Sequence, residues 1–329
     1  MRTCLNSLIV VAVLSSLCGC VCTPDQSAKT RVILDSDANN ELDDQHAIAY
    51  TLFSGNDFVV EGITVNRTRN GGPVAKHREE AERVVKLCGL DGKIKVYTGA
   101  DGNFDQIKDD VNKPEFDGSE AVDFIIQRAH VASDKKLVLL PVGKLTNIAL
   151  ALKKDPSIAS KIRIVWLGSN YPEPGEYNQD NDLPSINYIL DCDVPFEIAL
   201  VRYGKPSGTD AVRASLEEIK QKMPGLGPHI DKPVTGRHGG EFSTFGDYSV
   251  DLFVKMGHES RALFDMAAVA VVKDTGWGST RTIPAPILDG KNWKERPDNL
   301  HRITLWENFD KEKIMADYYS TMQNPVLVR

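Results

Sequence analysis

Five acidic residues fall within ten positions in the segment DSDANNELDD, residues 35–44. Four of them are aspartates, in two pairs at the two ends, Asp35 with Asp37 and Asp43 with Asp44. Four carboxylates that converge on one pocket repel one another unless a cation lies among them. Ligands that are all oxygen favour Ca²⁺ or Mg²⁺ over Zn²⁺. The segment therefore predicts a metal-binding site, and the alternative is helix capping beside a solvated loop.

The residues on either side of this segment predict the elements that hold its carboxylates. The run RVIL (31–34) is apolar and β-branched, which is typical of a buried strand, whereas DDQHAIAYTLF (43–53) has a helical pattern. The first pair of aspartates would therefore end a strand. The second pair would begin a helix, where carboxylates favour the positive end of the helix dipole. Since ligands of open α/β sheets bind outside the carboxyl ends of the strands, this position favours a functional site.

Apolar, β-rich runs alternate with helical patterns over the first half of the chain. Continuous apolar strands separated by helices indicate parallel strands buried on both faces. The predicted strands are RVIL (31–34), FVVEGITV (58–65), KIKVY (93–97), KLVLLPVG (136–143) and IRIVWLG (162–168). The predicted helices cover residues 43–53, 77–89, 120–131 and 146–155. We therefore predict an α/β fold with a doubly wound, mostly parallel sheet and helices on both faces.

The second half of the chain has a less regular pattern. Residues 169–185 are rich in Pro, Asn and Asp, which is typical of a loop, and loops at strand ends often carry function. Residues 235–249 contain four glycines and could form a mobile lid. A helical pattern covers residues 260–274, and a polar helix is expected from Asp310 to about Met322.

The first 20 residues have the pattern of a bacterial export signal. Arg2 precedes an apolar stretch (5–17) that is too short to span a bilayer, since spanning takes about 20 residues. The sequence LCGC (17–20) resembles a lipobox in which Cys20 would be lipidated, and ordinary secretory cleavage is the alternative. We predict a periplasmic protein or a lipoprotein anchored in a bacterial outer membrane. Its expected parts are a signal peptide at 1–20, a linker at 21–30 and one domain at 31–329.

Composition limits the partners and the role of the cysteines. The chain of 329 residues has a formal net charge of −7, which does not resemble the basic stripe of a nucleic-acid binder. Of its six cysteines, only Cys88 and Cys192 follow the leader region, so a disulfide framework is not indicated. Both are expected to be small buried residues. We therefore expect a small-molecule ligand, no nucleic-acid partner, and contact with a membrane only through a lipid anchor.

Two other kinds of site share part of the acidic pattern. An EF-hand loop also begins D-x-D-x-N, but its sixth position is Gly and its twelfth is Glu, where this chain has Asn40 and His46. A haloacid-dehalogenase-like phosphatase also places D-x-D after an apolar strand, and it would use Asp35 as its nucleophile. That family has Thr or Val at the position of Asn39. The phosphatase therefore stays as a less favoured alternative.

Five segments, in order, resemble motifs of the inosine–uridine-preferring nucleoside hydrolase family. The first is VILDSDANNELDDQHAIAY (32–50), an apolar strand, D-x-D, a turn, D-D and an apolar helix. The others are EGITV (61–65), VGKLTNIALAL (142–152), SINYILDCDVPFEI (185–198) and LFDMAAVA (263–270). The first and third are specific motifs, and the match spans most of the chain after residue 30. The resemblance implies a homo-oligomer that uses Ca²⁺ to hydrolyse the N-glycosidic bond of nucleosides or related N-ribosides.

The resemblance also implies roles for individual residues. It implies one deeply bound Ca²⁺ whose ligands are Asp37, Asp44, the backbone carbonyl of Thr146 and Asp265. Asp37 would also be the general base, and Asp35 would support the ligands from behind. Sugar contacts are implied for Asp43 and Asn187, with Asn66, Glu176 and Asn178 as weaker candidates. Carboxylates near the ring would also stabilise the oxocarbenium-like state through which N-glycosidic cleavage passes.

Departures from the family pattern leave the leaving group and the substrate open. The loop at 38–42 is longer than the family turn and carries Glu41, which could add a carboxylate or face solvent. Phe264 stands where many members have a histidine that protonates the leaving base, and Ser185 replaces a carboxylate that contacts the sugar. Phe264 could stack on a purine, or His238 could close over the base and donate a proton. Equally, Phe264 could be a core residue and His238 an exposed loop residue. A calcium-dependent sugar or nucleoside binder without turnover is therefore the main alternative.

Overall fold

Runs of apolar and β-branched residues become strands in the structure, a computed structural model that describes residues 29–328. The strands of this part of the chain are β1 (Thr30–Ser36), β2 (Phe58–Val65), β3 (Val96–Thr98), β4 (Leu137–Pro141), β5 (Ile162–Gly168), β6 (Phe196–Leu200), β7 (Arg213–Ser215), β8 (Val234–Thr235), β9 (Glu241–Phe242), β10 (Ser260–Ala262), β11 (Ser279–Pro284), β12 (Ile287–Asp289), β13 (Asn292–Lys294) and β14 (Arg302–Glu307). The helices are α1 (Asp43–Phe53), α2 (Val74–Leu87), α3 (Phe104–Ile107), α4 (Ser119–Ala129), α5 (Thr146–Lys154), α6 (Tyr177–Asn181), α7 (Leu183–Leu190), α8 (Leu216–Lys222), α9 (Phe245–Met256), α10 (Phe264–Lys273) and α11 (Lys311–Gln323). Short 3₁₀ helices lie at Pro156–Ser160, Thr209–Ala211 and Thr275–Trp277.

Eight of the strands form one sheet in the order β11-β14-β6-β5-β4-β1-β2-β3. Every neighbouring pair is parallel except β11 and β14, which pair antiparallel at one edge. The mostly parallel sheet predicted from the sequence is therefore confirmed. β3 begins later than predicted, because the residues before it turn back on themselves, with the N–H of Ile94 donating to the carbonyl of Leu90 at 3.2 Å.

The side chains of β1 alternate between two hydrophobic cores, one on each face of the sheet. Val32 and Leu34 belong to a core shared with α1, α2, α9, α10 and α11. Ile33 belongs to a second core shared with α4, α5 and α7. This alternation is the period of two that a strand imposes. Helices therefore cover both faces, and the doubly wound arrangement is confirmed.

β1 lies at the point where the winding of the sheet reverses. Its neighbours are β2 on one side and β4 on the other. From β1 the chain continues outward to β2 and β3, and from β4 it continues outward in the other direction to β5 and β6. The loops that follow β1 and β4 therefore diverge and leave a crevice at the carboxyl edge. The acidic segment leaves β1 directly into this crevice.

The second half of the chain is more regular than the sequence predicts. Residues 260–262 form β10, whose backbone pairs with β7, so the expected helix begins only at Phe264. The expected lid at 235–249 contains part of the β8–β9 hairpin and the start of α9. The hydroxyl of Thr244 accepts the N–H of Asp247 and so caps α9. The expected loop at 169–185 contains α6, whereas α11 follows Asp310 as predicted.

Some expectations about the whole chain lie beyond this part of it. The signal peptide, most of the linker and Cys20 precede residue 29 and fall outside the described residues. Cys88 and Cys192 are free thiols, the first buried and the second half-buried. Over residues 29–328, no helix combines the length and the apolar character that crossing a membrane would need.

Candidate active site

A cavity of about 350 Å³ opens at the carboxyl ends of the central strands. Asp37 follows β1, Val142 follows β4, Leu167 lies at the end of β5, Val201 follows β6, and all four line the cavity. The cavity therefore lies at the reversal point of the sheet. Its other lining residues are Asn40, Glu41, Asp43, Asp44, Glu176, Tyr177, Asn178, Tyr203, Asp210, Arg213, Arg261, Phe264 and Asp265.

Four buried aspartates form one side of the cavity, which we call the carboxylate floor: Asp37, Asp43, Asp44 and Asp265. Asp43 and Asp44 are the first two residues of α1, and Asp265 is the second residue of α10. These two helices pack against each other, so their first turns meet. Asp43, Asp44 and Asp265 each place one carboxylate oxygen within 4.8 Å of the other two. The fold thus brings together two motifs that are far apart in the sequence.

The floor has more hydrogen-bond acceptors than donors. The hydroxyl of Ser36 donates to Oδ1 of Asp44 at 2.6 Å, and the hydroxyl of Thr68 donates to Oδ2 of Asp37 at 2.5 Å. Oδ2 of Asp265 is buried and has no hydrogen-bond partner within residues 29–328. An unmatched buried acceptor of this kind costs free energy, and more so when it is charged. The protein groups alone therefore leave the floor incomplete.

Burial and mutual repulsion raise the pKa values of the floor. Burial raises the pKa of Asp37 to about 7, and the hydrogen bond from Thr68 opposes this shift. Burial raises the pKa of Asp43 to about 7 as well, and the nearby charge of Asp37 adds to the effect. Burial, followed by the charges of the neighbouring aspartates, raises the pKa values of Asp44 and Asp265 well above their usual range. A cation among these groups would act in the opposite direction.

The donor set of the floor fits a hard cation. The grouped side chains offer only carboxylate oxygens, which Ca²⁺ and Mg²⁺ prefer, and they offer no sulfur or imidazole nitrogen. The unpartnered oxygen of Asp265 supplies a ligand atom to which no donor within residues 29–328 is hydrogen-bonded. The residues present therefore fit a hard divalent cation, such as the Ca²⁺ that the family resemblance implies.

Asp35 is a buried carboxylate of a different kind. It accepts hydrogen bonds from the hydroxyl of Thr64 at 2.6 Å and from the amides of Asn147 and Asn66 at 2.7 and 2.9 Å. Burial raises the pKa of Asp35 to about 6, and these three donors oppose the shift. Neither Asp35 nor Asn66 lines the cavity. Asp35 therefore lies behind the floor, a position that does not fit the exposed nucleophile of a phosphatase.

Glu176 and Asn178 line the cavity and are fixed by the backbone. Glu176 caps α6 and accepts three backbone N–H groups, those of Ser169, Asn178 and Gln179, at 2.8 to 3.0 Å. Burial raises the pKa of Glu176, and these amides oppose the shift. The amide nitrogen of Asn178 donates to the carbonyls of Val142 and Leu167. Both side chains are therefore ordered before any ligand binds.

A second part of the cavity, which we call the rim, consists of Glu41, Tyr203, Arg261 and Phe264. The rings of Tyr203 and Phe264 meet edge to face, with centroids 5.8 Å apart and planes at 88°. Cζ of Arg261 lies 5.3 Å from the centroid of the Phe264 ring. Nη2 of Arg261 forms an ion pair with Glu41 and lies 3.8 Å from Oδ1 of Asp43. The rim therefore combines aromatic surface with a fixed guanidinium.

Two further residues with predicted roles, Thr146 and Asn187, are not among the lining residues. The hydroxyl of Thr146, at the start of α5, donates to Asp182 at 2.5 Å. Asn187 exchanges two hydrogen bonds with the backbone of Leu288, at 2.9 and 2.8 Å. The amide of Asn187 thus fastens α7 to β12, and the structure does not bring it to the floor.

His238 also lies away from the cavity. It is exposed at the turn of the β8–β9 hairpin, and its Nε2 accepts a hydrogen bond from Nε of Arg237 at 3.1 Å. Arg237, not His238, contacts the acidic loop, because its Nη1 donates to the carbonyl of Glu41 at 3.1 Å. The hairpin therefore holds the loop in place, and no histidine of the described residues lines the cavity.

The sequence did not predict the residues that donate hydrogen bonds to the floor, Ser36 and Thr68, or two of the four rim residues, Tyr203 and Arg261. Ser36 lies between the first two aspartates, and Thr68 follows the end of β2, so their positions at strand ends were a usable signal. Arg261 stands four residues before Asp265, next to a recognised motif. Tyr203 follows β6 in a stretch without any pattern, and nothing local marks it.

Comparison with known proteins agrees with this geometry. A model of the family described as "Inosine-uridine preferring nucleoside hydrolase" matches residues 32–313. The enzyme of that name from Crithidia fasciculata is 25% identical over 287 residues, which are 79% of this chain and 84% of that protein. A pyrimidine-specific ribonucleoside hydrolase from Escherichia coli is 30% identical over 122 residues, which are 37% of this chain and 32% of the relative. The solved structure of a purine-preferring ribonucleoside hydrolase from Gardnerella vaginalis has a TM-score of 0.67 at 22% identity, covering 89% of this chain and 98% of that one. This last likeness concerns the fold alone.

Proposed function

Because the chain belongs to the inosine-uridine preferring nucleoside hydrolase family, it is an N-glycosyl hydrolase by class, and we propose that it cleaves nucleosides or related N-ribosides with Ca²⁺ as cofactor. The products would be the free base and ribose. The observation that carries the proposal is the carboxylate floor, four buried aspartates with an unpartnered oxygen at the reversal point of the sheet. Such a floor is costly without a cation and suited to one.

The floor supplies the groups that this reaction needs. Asp44 and Asp265, whose carboxylate oxygens lie close together, would hold the Ca²⁺. Asp37 and the backbone carbonyl of Thr146 would complete the ligand set, as the family resemblance implies. Ca²⁺, when bound, offsets the negative charge of the floor and orders the hydroxyls of the sugar. Asp43 would accept a hydrogen bond from a ribose hydroxyl.

The remaining steps belong to side chains of this chain. Asp37 takes the proton of the attacking water, and Thr68 fixes its carboxylate through the hydrogen bond at 2.5 Å. The other carboxylates near the ring stabilise the positive charge that develops on the sugar in the transition state. Glu176 and Asn178, already ordered by the backbone, would contact the remaining sugar hydroxyls.

A screen of purine, pyrimidine and modified nucleosides with purified protein tests this proposal. Chromatography measures the free base, and a reducing-sugar assay measures the ribose. We expect both products in Ca²⁺, neither after chelation, and recovery when Ca²⁺ is restored. If no nucleoside yields free base at any Ca²⁺ concentration, the hydrolase proposal fails.

Phe264 favours a second candidate function, Ca²⁺-dependent binding of a sugar or nucleoside without turnover. A phenyl ring cannot transfer a proton to a leaving base, and His238 does not line the cavity. Calorimetry separates the two functions. A binder would show saturable, Ca²⁺-dependent heat with ribose and nucleosides, and the same samples would contain no released base.

We also propose that the protein is exported, carries a lipid on Cys20 and forms a homo-oligomer. The apolar leader with its LCGC sequence supports the first two points, and the family resemblance supports the third. Replacing Cys20 with Ser should move the protein from the membrane fraction to the soluble fraction. Light scattering on the purified domain gives its mass in solution, and a monomer mass would contradict the oligomer.

A further inference from the structure

Two departures from the family pattern, the long acidic loop and Phe264, meet at the rim. Glu41, from the loop, forms an ion pair with Arg261, and the guanidinium of Arg261 lies 5.3 Å from the ring of Phe264. Glu41 is anchored in turn, since its carbonyl accepts a hydrogen bond from Arg237 at 3.1 Å. The lengthened loop therefore positions the guanidinium of Arg261 beside Phe264, which stands where many family members have a histidine.

On the basis of the proposed function, we propose that Arg261 is the catalytic residue that stabilises the departing base, and that Glu41 is its positioning residue. A guanidinium carries five N–H donors in a rigid plane and a permanent positive charge. Both ion pairs of Arg261 use Nη2, toward Glu41 and toward Asp43. Its Nε is buried and, within the described part of the chain, has no hydrogen-bond partner. A guanidinium that lines the cavity and is held in place by an ion pair is a preorganised donor of the kind that stabilises charge developing on a ligand.

The position of Arg261 relative to the floor suits this role. Its Nη2 lies 3.8 Å from Oδ1 of Asp43, whose carboxylate is grouped with those of Asp44 and Asp265. The base of a nucleoside is bonded directly to C1′ of the sugar. If the floor binds the sugar, the guanidinium of Arg261 beside the floor is close to the base. Phe264 and Tyr203 offer flat apolar surface to the same base.

Cleavage by this route needs no proton donor in the protein. The oxygen of the attacking water bonds to C1′, and its proton goes to Asp37. The bond between C1′ and the base nitrogen breaks, and its electron pair stays on the base. The base leaves as an anion that accepts a hydrogen bond from Arg261, and it then takes a proton from solvent.

This role defines the class of substrate. A cation stabilises a leaving base that spreads negative charge over its ring and carries a carbonyl or imine acceptor. Purine and pyrimidine ribosides have this property. An N-riboside whose leaving group is a poorly stabilised anion should be a poor substrate.

A comparison of two substrates tests the inference. Arg261→Met keeps the length of the side chain and removes its charge, so kcat/KM for inosine and uridine should fall by roughly 100-fold, the loss seen when one preorganised donor is removed. The same variant should largely retain its rate on p-nitrophenyl riboside, because that leaving group departs as a stable anion without help. Arg261→Lys should show a smaller loss on nucleosides, since it keeps charge but not the planar fork. Glu41→Gln should lower the nucleoside rate with the same dependence on the leaving group.

The matched control is Arg163→Met, which removes a half-buried arginine paired with Glu197 outside the cavity. It should keep both activities. Equal losses on nucleosides and on p-nitrophenyl riboside in the Arg261 variants would show a structural role and overturn the inference alone. An unchanged nucleoside rate would overturn it as well. If the wild type cleaves neither substrate in Ca²⁺, the proposed function fails, and the inference fails with it.

Discussion

The carboxylate floor and the rim face the same cavity but are built in different ways. The floor consists of side chains at the ends of regular elements, next to β1 and in the first turns of α1 and α10. The rim consists of side chains on a loop, on a short strand and at the start of a helix, joined by an ion pair and an aromatic contact. The floor therefore has a geometry set by the core of the fold, whereas the rim depends on contacts between segments far apart in sequence. We infer that the floor fixes the sugar chemistry and that the rim sets the response to the leaving group.

The largest effect should come from Asp37, the proposed general base in the floor. Replacing Asp37 with Asn removes the group that takes the proton of water, so kcat should fall by about 10³-fold, within the range for a lost general base. Ca²⁺-dependent ribose binding should remain, since an amide oxygen still offers a ligand. Steady-state kinetics and calorimetry measure the two quantities. A variant that keeps nearly full kcat would remove Asp37 from the mechanism.

A smaller loss of kcat should follow from removing the Thr68 hydroxyl, which donates a hydrogen bond to Asp37. Thr68→Val deletes the hydroxyl that donates to Asp37, and a hydrogen bond to a charged group contributes about 1.5–3 kcal/mol, which corresponds to a loss of at least roughly tenfold in kcat. Thr64→Val is the matched control, since Thr64 donates to Asp35 behind the floor. Thr64→Val should lower the thermal midpoint but leave kcat nearly unchanged. Equal losses of kcat in the two variants would contradict the separate roles of Asp37 in the floor and Asp35 behind it.

The sign of a stability change separates the floor from Asp35. Asp265→Asn should raise the thermal midpoint of chelated protein by a few degrees, on the scale of about 1 kcal/mol, because a repelled buried charge is removed. In Ca²⁺ the same variant should melt below the wild type, because a ligand is lost. Asp35→Asn should instead lower the midpoint in both conditions, because the amide nitrogen of Asn cannot accept the hydrogen bonds that a carboxylate oxygen accepts and would leave buried donors unpaired. Scanning fluorimetry measures all four values, and the same sign for Asp265→Asn in both conditions would contradict the cation site.

The smallest effect should come from the aromatic part of the rim. Phe264→Leu removes a ring that can border the base, so KM for purine nucleosides should rise by roughly threefold to tenfold, in line with about 0.5–1.5 kcal/mol for an aromatic contact. Phe242→Leu, in β9 and outside the cavity, serves as the control. Ca²⁺ affinity should not change in either variant. A fall in Ca²⁺ affinity with Phe264→Leu would show that floor and rim are not separable.

The difference between floor and rim also explains what the sequence could predict. Asp37 and Asp43 are marked by local signals, an apolar strand that ends and a helix that begins, and these signals also predict the sheet edge. Glu41 and Arg261 are charged residues whose pairing depends on how β10 docks beside the acidic loop, which no local pattern reveals. Asn187 shows the opposite case. Its motif is recognisable and predicts a sugar contact, but its amide forms hydrogen bonds with the backbone of β12 instead. His238 sits among glycines that predicted a mobile lid, but a hairpin places it on the surface.

The rate of base release as a function of free Ca²⁺ tests the central claim most directly. Wild-type protein, stripped of metal and then titrated with Ca²⁺ in the presence of inosine or uridine, should show no release at first and then a saturable rise. Asp44→Asn should need more Ca²⁺ to reach half of its maximal rate. Base release that is independent of Ca²⁺, or that never appears at any concentration, would contradict the claim that the buried floor binds the cation on which the hydrolase depends.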